Sequence, residues 1–332
     1  MAWISAFPRS ILGLRQEKNG PTGPIHLSAR GRMNENTRRD SIEGNNMRWR
    51  GGRRSSNIED RRGARAPRGV LGGGIGTIVL ILAALYFGID PTPLLEGMQS
   101  ANVSVSSGGN TPTAEELKND PLADMIAVVV GDTEDVWREI FAAQGRTYEE
   151  PSLVLFSGAT RSACGVGQAA MGPFYCPADR NAYIDLSFYE DMRTRFKAPG
   201  DFAQAYVIAH EIGHHVQNLL GISGKVHRMK QGVSTTEANQ LSVRLELQAD
   251  CLAGVWANRA DKARSILESG DVEEAMNAAS AIGDDRLQKQ SRGTVVPESF
   301  THGTSAQRQR WFRAGLSSGD IDRCDTFNTR SL

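Results

Sequence analysis

The 332-residue chain divides by its pattern of apolar and polar positions into a polar start, one uncharged apolar stretch, a polar connection and a long patterned region. The apolar stretch is Gly69 to Ile89, GVLGGGIGTIVLILAALYFGI, which contains no charged residue. At about 1.5 Å per residue, a helix of that length spans about 30 Å, the thickness of a bilayer's hydrocarbon core. The pattern therefore predicts one transmembrane helix over 69–89, with glycines that membrane helices tolerate. Residues 90–118, rich in Ser, Gly, Thr, Asn and Pro, read as a linker. Regular patterning then runs from 119 to 328. It predicts helices over Pro121–Val130, Thr133–Gln144, Tyr189–Phe196 and Asp271–Gln288, and strands over Ser152–Phe156 and Ala182–Leu186. The second strand comes shortly before a long helix, as an edge would to which an extended peptide could add. The fold class expected is α+β, mainly helical with a small sheet, preceded by the membrane helix.

Two further helices carry stronger signals. Asp201 is a plausible N-cap for Phe202 to Leu220, and Gly221 supplies a stop. Ser234-x-x-Glu237 is a capping box opening a helix whose apolar positions include Leu241, Leu245, Ala249, Leu252 and Trp256.

Charge alters the picture of the start. The formal net charge is zero, yet residues 1–68 hold 15 Arg and Lys against six Asp and Glu. This segment is poor in large apolar residues, so a disordered basic tail is expected. Such a tail suits nucleic acid or anionic lipid equally, but the apolar stretch beside it favours a membrane, and no nucleic-acid partner is expected. Arginines just ahead of that stretch predict a cytoplasmic tail and an exported domain on a single-pass membrane protein. A cleavable signal peptide would need a much shorter basic region. All four cysteines, Cys164, Cys176, Cys251 and Cys324, follow the apolar stretch. An even number there fits two disulfides in an oxidising compartment. Cys164–Cys176 is the natural close pair and Cys251–Cys324 the remainder; buried free thiols are the alternative.

The chemistry concentrates in His210-Glu211-Ile212-Gly213-His214. Positions i and i+4 share a helix face, so both imidazoles can address one metal ion. Glu211 can then reach a water on that ion as general base, which is the arrangement for hydrolysing a peptide bond. A metzincin continuation would need Gly at 217 and His at 220; the chain has Gln217 and Leu220. His215 points about 100° away from His214 and suits packing or a hydrogen bond. A catalytic zinc takes three protein ligands, so an acid from another element is required. Glu246-x-x-x-Asp250 sets two carboxylates on one face of the second helix: Glu246 as the third ligand, Asp250 as acceptor for the other ring N–H of a ligating histidine. Two solvated surface acids are the plainer reading of that pair.

These residues sit within a longer series of motifs. MRWRGGRRSSNIEDRRG, DTEDVWREIF, CGVGQAAMGPFYCPADRNAYIDLSFY, AHEIGHHVQNLLG, ELQADCLAGVWA and FTHGTSAQRQRWF occur in order between Met47 and Phe327. In this the chain resembles the Putative neutral zinc metallopeptidase family, a group of membrane-anchored proteins. The resemblance implies a zincin-like hydrolase with one zinc on His210, His214 and Glu246, Glu211 as base, and a peptide or protein substrate. Residues 1–46 fall outside it, as an extended start ahead of Met47 would. His302, in a loop before the helix capped by Thr304-x-x-Gln307, is a candidate donor to the oxyanion; local hydrogen bonding is its alternative. The competing function is an envelope scaffold that keeps zinc for stability, against which stands the intact Glu211.

Overall fold

A computed structural model describes residues 47–62, 111–169 and 172–332. The predicted membrane helix at 69–89 and the segment 1–46 lie outside the described residues, and among those described no helix is long and apolar enough to cross a membrane. The expected class is otherwise found: a mainly helical α+β body around a small sheet.

The sheet has the order β1 (Ile58–Asp60), β2 (Leu153–Phe156), β6 (Asn181–Asp185), β5 (Phe174–Cys176). β1, β2 and β6 run parallel, and β5 lies antiparallel at the edge. The run LVLF of β2 is buried on both faces, which is why it reads as continuously apolar. Its alternation separates two environments: Leu153 and Leu155 join the main core with Ala182 and Ile184, while Val154 and Phe156 pack with Tyr183 and Cys176 on the far side. β6 is thus interior rather than the edge it was expected to be. β3 (Ala159–Ser162) and β4 (Gly165–Gln168) form a separate hairpin, which the Cys164–Cys176 disulfide ties to β5.

The chain entering β1 corrects the expected tail. Residues 47–62 belong to the folded body, because their arginines and polar groups find buried partners far along the sequence. Arg53 pairs with Glu134 at 2.6 Å and donates to the Gly131 carbonyl at 2.8 Å, Arg54 grips Asp124 with two hydrogen bonds, and Arg62 pairs with Asp120 at 2.5 Å. Ser55 donates its backbone N–H to Ala127 and its hydroxyl to the buried carboxylate of Glu134.

Helix α1 (Ala114–Lys118) also takes in the end of the expected linker, closed by a capping box between Thr113 and Glu116. α2 (Pro121–Ala143) is one helix where two were expected. Gly131 at its middle is not a break but a point of close approach: a Cβ there would lie 2.4 Å from the Arg53 carbonyl oxygen. α3 (Ser187–Thr194) precedes α4 (Asp201–Leu219), α5 (Ile222–Lys230) and the long α6 (Thr235–Arg264). The single helix expected over 271–288 is two, α7 (Asp271–Ala281) and α8 (Asp284–Arg292), parted at Gly283. α9 (Ser305–Ser318) follows with its Thr304/Gln307 capping box, as does α6 with Ser234/Glu237.

α6 and α9 meet backbone to backbone at two glycines. A Cβ on Gly254 would lie 2.1 Å from the Phe312 carbonyl oxygen, and one on Gly315 would lie 1.9 Å from that of Cys251. The second disulfide, Cys251–Cys324, joins the same helix to the C-terminal segment, with Cα atoms 5.5 Å apart. Both expected pairings are present and no cysteine is free.

Candidate metal centre

α4 and α6 cross where each carries its polar residues. Gly213 makes that crossing tight, since a Cβ there would sit 3.0 Å from the Ala249 carbonyl oxygen and 3.2 Å from its Cα. The glycine of HEIGH therefore brings two helix faces together. His210 and His214 meet Glu246 as expected: Glu246 Oε2 lies 3.2 Å from His210 Nε2, and Oε1 lies 3.4 Å from His214 Nε2. One ligand atom from each of the three lies within 4.8 Å of the others.

Each imidazole is held by its outer nitrogen, which leaves Nε2 for the centre. His210 Nδ1 sits 2.8 Å from Asp250 Oδ1. His214 Nδ1 sits 2.9 Å from Gln217 Oε1. Asp250 is fully buried and also accepts from the Tyr206 hydroxyl (2.5 Å) and from Arg308 Nε and Nη2 (2.9 and 2.8 Å). Burial alone would raise the Asp250 pKa, but the charges of Arg308 and His210 hold it at about 2. Burial would likewise lower that of His210, yet Asp250's charge and the hydrogen bonds that His210 donates to Asp250 and Glu246 push it to about 10. Two imidazoles and a carboxylate, oriented by outer partners and converging through Nε2 and Oε, suit a divalent zinc-like cation.

Glu211 is buried beside the first histidine. Burial raises its pKa, and His210 and His214 oppose that rise. Near it lies Tyr189, a buried tyrosine whose hydroxyl has no hydrogen-bond partner among the described residues and whose pKa is raised by burial and by Glu211's charge. His215 points away as predicted: its Nε2 donates to the Glu149 carbonyl oxygen at 2.6 Å, and its Nδ1 accepts from the Tyr175 hydroxyl at 2.9 Å. Burial lowers its pKa to about 4, consistent with that neutral tautomer. His302 stays half-exposed on its loop, with Nδ1 3.2 Å from Asp284 Oδ1; this hydrogen bond raises its pKa, with Glu246's charge contributing. Its loop is pinned by Asp284 Oδ2, which accepts the N–H groups of Thr301, His302 and Gly303.

The sequence pattern of the family described as Putative neutral zinc metallopeptidase matches residues 47–327. The chain belongs to this family. The uncharacterized protein YpfJ of Escherichia coli strain K12 is 51% identical over 292 residues, which covers 85% of this chain and 99% of the relative. The uncharacterized protein Rv2575 of Mycobacterium tuberculosis strain H37Rv is 43% identical over 216 residues, 62% of this chain and 71% of the relative. No solved structure gives a significant match.

Sequence reasoning missed three groups that hold the ligands. Tyr206 stands at i−4 from His210, a spacing that could have revealed it. Gln217 served only to reject the metzincin pattern, although it lies at i+3 from His214. Arg308, on a helix nearly sixty residues beyond Asp250, gave no local signal.

Proposed function

We propose that this protein is a zinc-dependent metallopeptidase that hydrolyses peptide bonds, with one zinc held by His210, His214 and Glu246. The observation that carries the reading is Glu211, a buried carboxylate beside converging ligands, which a purely structural zinc would not need. A bound zinc ion supplies Lewis acidity, acidifying a water and polarising the scissile carbonyl. Glu211 takes the proton from the attacking water and passes it to the leaving amine, a role its raised pKa favours. Asp250 and Gln217 keep the imidazoles aimed inward through the cycle. His302, whose pKa is raised by its hydrogen bond with Asp284, donates a hydrogen bond to the developing oxyanion.

The substrate is a peptide or protein in extended form. A zincin-like arrangement is supported by β5, an antiparallel edge strand whose Tyr175 contacts His215 and Asn218 of α4; a substrate strand would add there rather than at β6. A cleft of about 310 Å³ near the ligand helix, with Val243, Val295, Pro297 and Phe300 in its wall, suits an apolar side chain. The two disulfides support an oxidising, extracytoplasmic compartment.

The test compares zinc-loaded wild type with Glu211→Gln on a peptide library, reading new termini by mass spectrometry and zinc by metal analysis. New termini should vanish in the variant while it keeps one zinc per chain. Undiminished cleavage by the variant would remove the mechanism. A zinc-loaded wild type that cuts nothing would favour the scaffold reading.

A further inference from the structure

A second cluster of acids lies away from the metal centre, at the N-terminal ends of α4 and α7. Asp201 opens α4; Asp271 and Glu274 stand in the first turn of α7, and one oxygen from each of the three lies within 4.8 Å of the others. Asp271 is fully buried and its Oδ1 has no hydrogen-bond partner among the described residues; nor has the buried Oδ2 of Asp201, although the Trp49 indole helps to hold that carboxylate. Some of the remaining oxygens are bonded to backbone: Asp271 Oδ2 to Glu268 N–H, Glu274 Oε2 to Phe202 N–H. Burial raises all three carboxyls; repulsion from their neighbours adds to it at Asp271, which reaches about 6, and at Glu274, which reaches about 7. Two helix N-termini offer about half a unit of positive charge each, which falls short of three carboxylates. Among the described residues, none of the three carboxylates is seen in an ion pair.

The backbone nitrogen of Met47 points into it, 3.1 Å from Asp201 Oδ1, with the Trp49 indole also bonding that carboxylate. Its side chain is buried in the main core, and the next residue is fixed by Arg48 N–H to the Ile266 carbonyl (2.8 Å) and by Arg48 to Glu268 (2.7 Å). Inside a longer chain this nitrogen is an uncharged amide with one proton, already used on Asp201. As the first residue it would be an ammonium with three, enough for the two orphaned carboxylate oxygens as well. Met47 is also where the family pattern begins.

We propose that the functional chain begins at Met47 and that its free α-ammonium is a buried structural cation bound by Asp201, Asp271 and Glu274. The pocket clamps the first turn of the helix that carries His210, Glu211 and His214. A chain retaining residues 1–46 lacks that charge and holds the helix less firmly. The inference stands apart from the hydrolytic reading, since it is tested by stability and amine chemistry.

Four proteins decide it: the full chain, the chain starting at Met47, and each with Asp271→Asn. Thermal melting should find the Met47 chain higher than the full chain by about 5 °C or more. Asp271→Asn should lower the melting point of the Met47 chain but leave that of the full chain unchanged or raised, because there it relieves repulsion. Glu274→Gln, which keeps an acceptor for Phe202, gives the same crossed pattern if Asp271→Asn does not fold. Acetylation by an N-hydroxysuccinimide ester at pH 7, read by mass spectrometry, should modify the Met47 amine at least tenfold more slowly in the folded chain than in urea. Equal melting points for both starts, equal effects of Asp271→Asn in both, or an amine acetylated equally fast folded and unfolded would each overturn the proposal. So would calcium chloride raising the full chain's melting point in a manner abolished by Asp271→Asn, which would make the cluster a metal site.

Discussion

Replacing Asp250 by Asn separates the two tasks this residue performs. The carboxylate receives four hydrogen bonds, from Tyr206, His210 and twice from Arg308, with no exposure to solvent. Asn keeps the shape but loses the charge and turns a donor toward other donors. The Arg308 guanidinium, itself buried, is then left without its counter-charge, a loss of about 3–5 kcal/mol of stability. Independently, His210 loses the acceptor that fixes its tautomer and aim, which costs about 10- to 100-fold in zinc affinity. At 1.4 kcal/mol per tenfold, that is about 1.4–2.8 kcal/mol of binding. The double variant Asp250→Asn/Arg308→Met removes both buried charges, so most of the stability should return while zinc affinity stays low. Thermal melting of the zinc-free proteins and zinc titration against a competing chelator measure the two quantities separately. Wild-type zinc affinity in Asp250→Asn, or a double variant as unstable as the single, would refute the division.

Other expectations follow from the same geometry. Gln217→Ala should weaken zinc binding about tenfold by freeing His214, and should also loosen α4 from α6, because the same amide donates to the Leu245 carbonyl at 2.7 Å; titration and melting check both. His302→Ala should lower kcat by about 10²-fold with little change in KM, read on the first peptide substrate found. Removing the Cys251–Cys324 bridge, which spans 73 residues, should cost about 4 kcal/mol, against about 3 kcal/mol for the 12-residue Cys164–Cys176 loop, by urea unfolding of serine pairs. Raised pKa values mean that Asp271 and Glu274 bind more protons in the native state than in the unfolded one, so in the full chain the stability they contribute should be lost as pH rises from about 4 to 7, read as the difference in melting point between the full chain and its Asp271→Asn variant across that range. Asp261, Glu268 and Arg48 also face that cluster, and the loss should shrink when the chain starts at Met47.

Local pattern was enough wherever one element decides its own form. HEIGH, the capping boxes at Ser234 and Thr304, the buried run of β2 and the Glu246/Asp250 spacing all declare themselves within a turn or two. What escaped depends on partners distant in sequence. β1 has a single core residue, Ile58, among charges, and those arginines resemble a solvated tail until Glu134, Asp124 and Asp120 are brought beside them. Gly131 and Gly283 show the ambiguity of glycine: the first admits a neighbouring backbone inside an unbroken helix, the second ends one. Arg308 reads as a surface cation in QRQRWF, and only the buried Asp250 explains why it is inside.

The glycines at 254 and 315 give the molecule an unusual map of tolerance to change. Neither touches the metal centre, and neither has a side chain to contribute to it. Yet they set the spacing between the helix bearing Glu246 and Asp250 and the helix bearing Arg308, with no slack for even a methyl group. In a saturation-mutagenesis survey scored on zinc retention, these two silent positions should be as intolerant as the histidines, while many polar neighbours nearer the ion accept substitution freely.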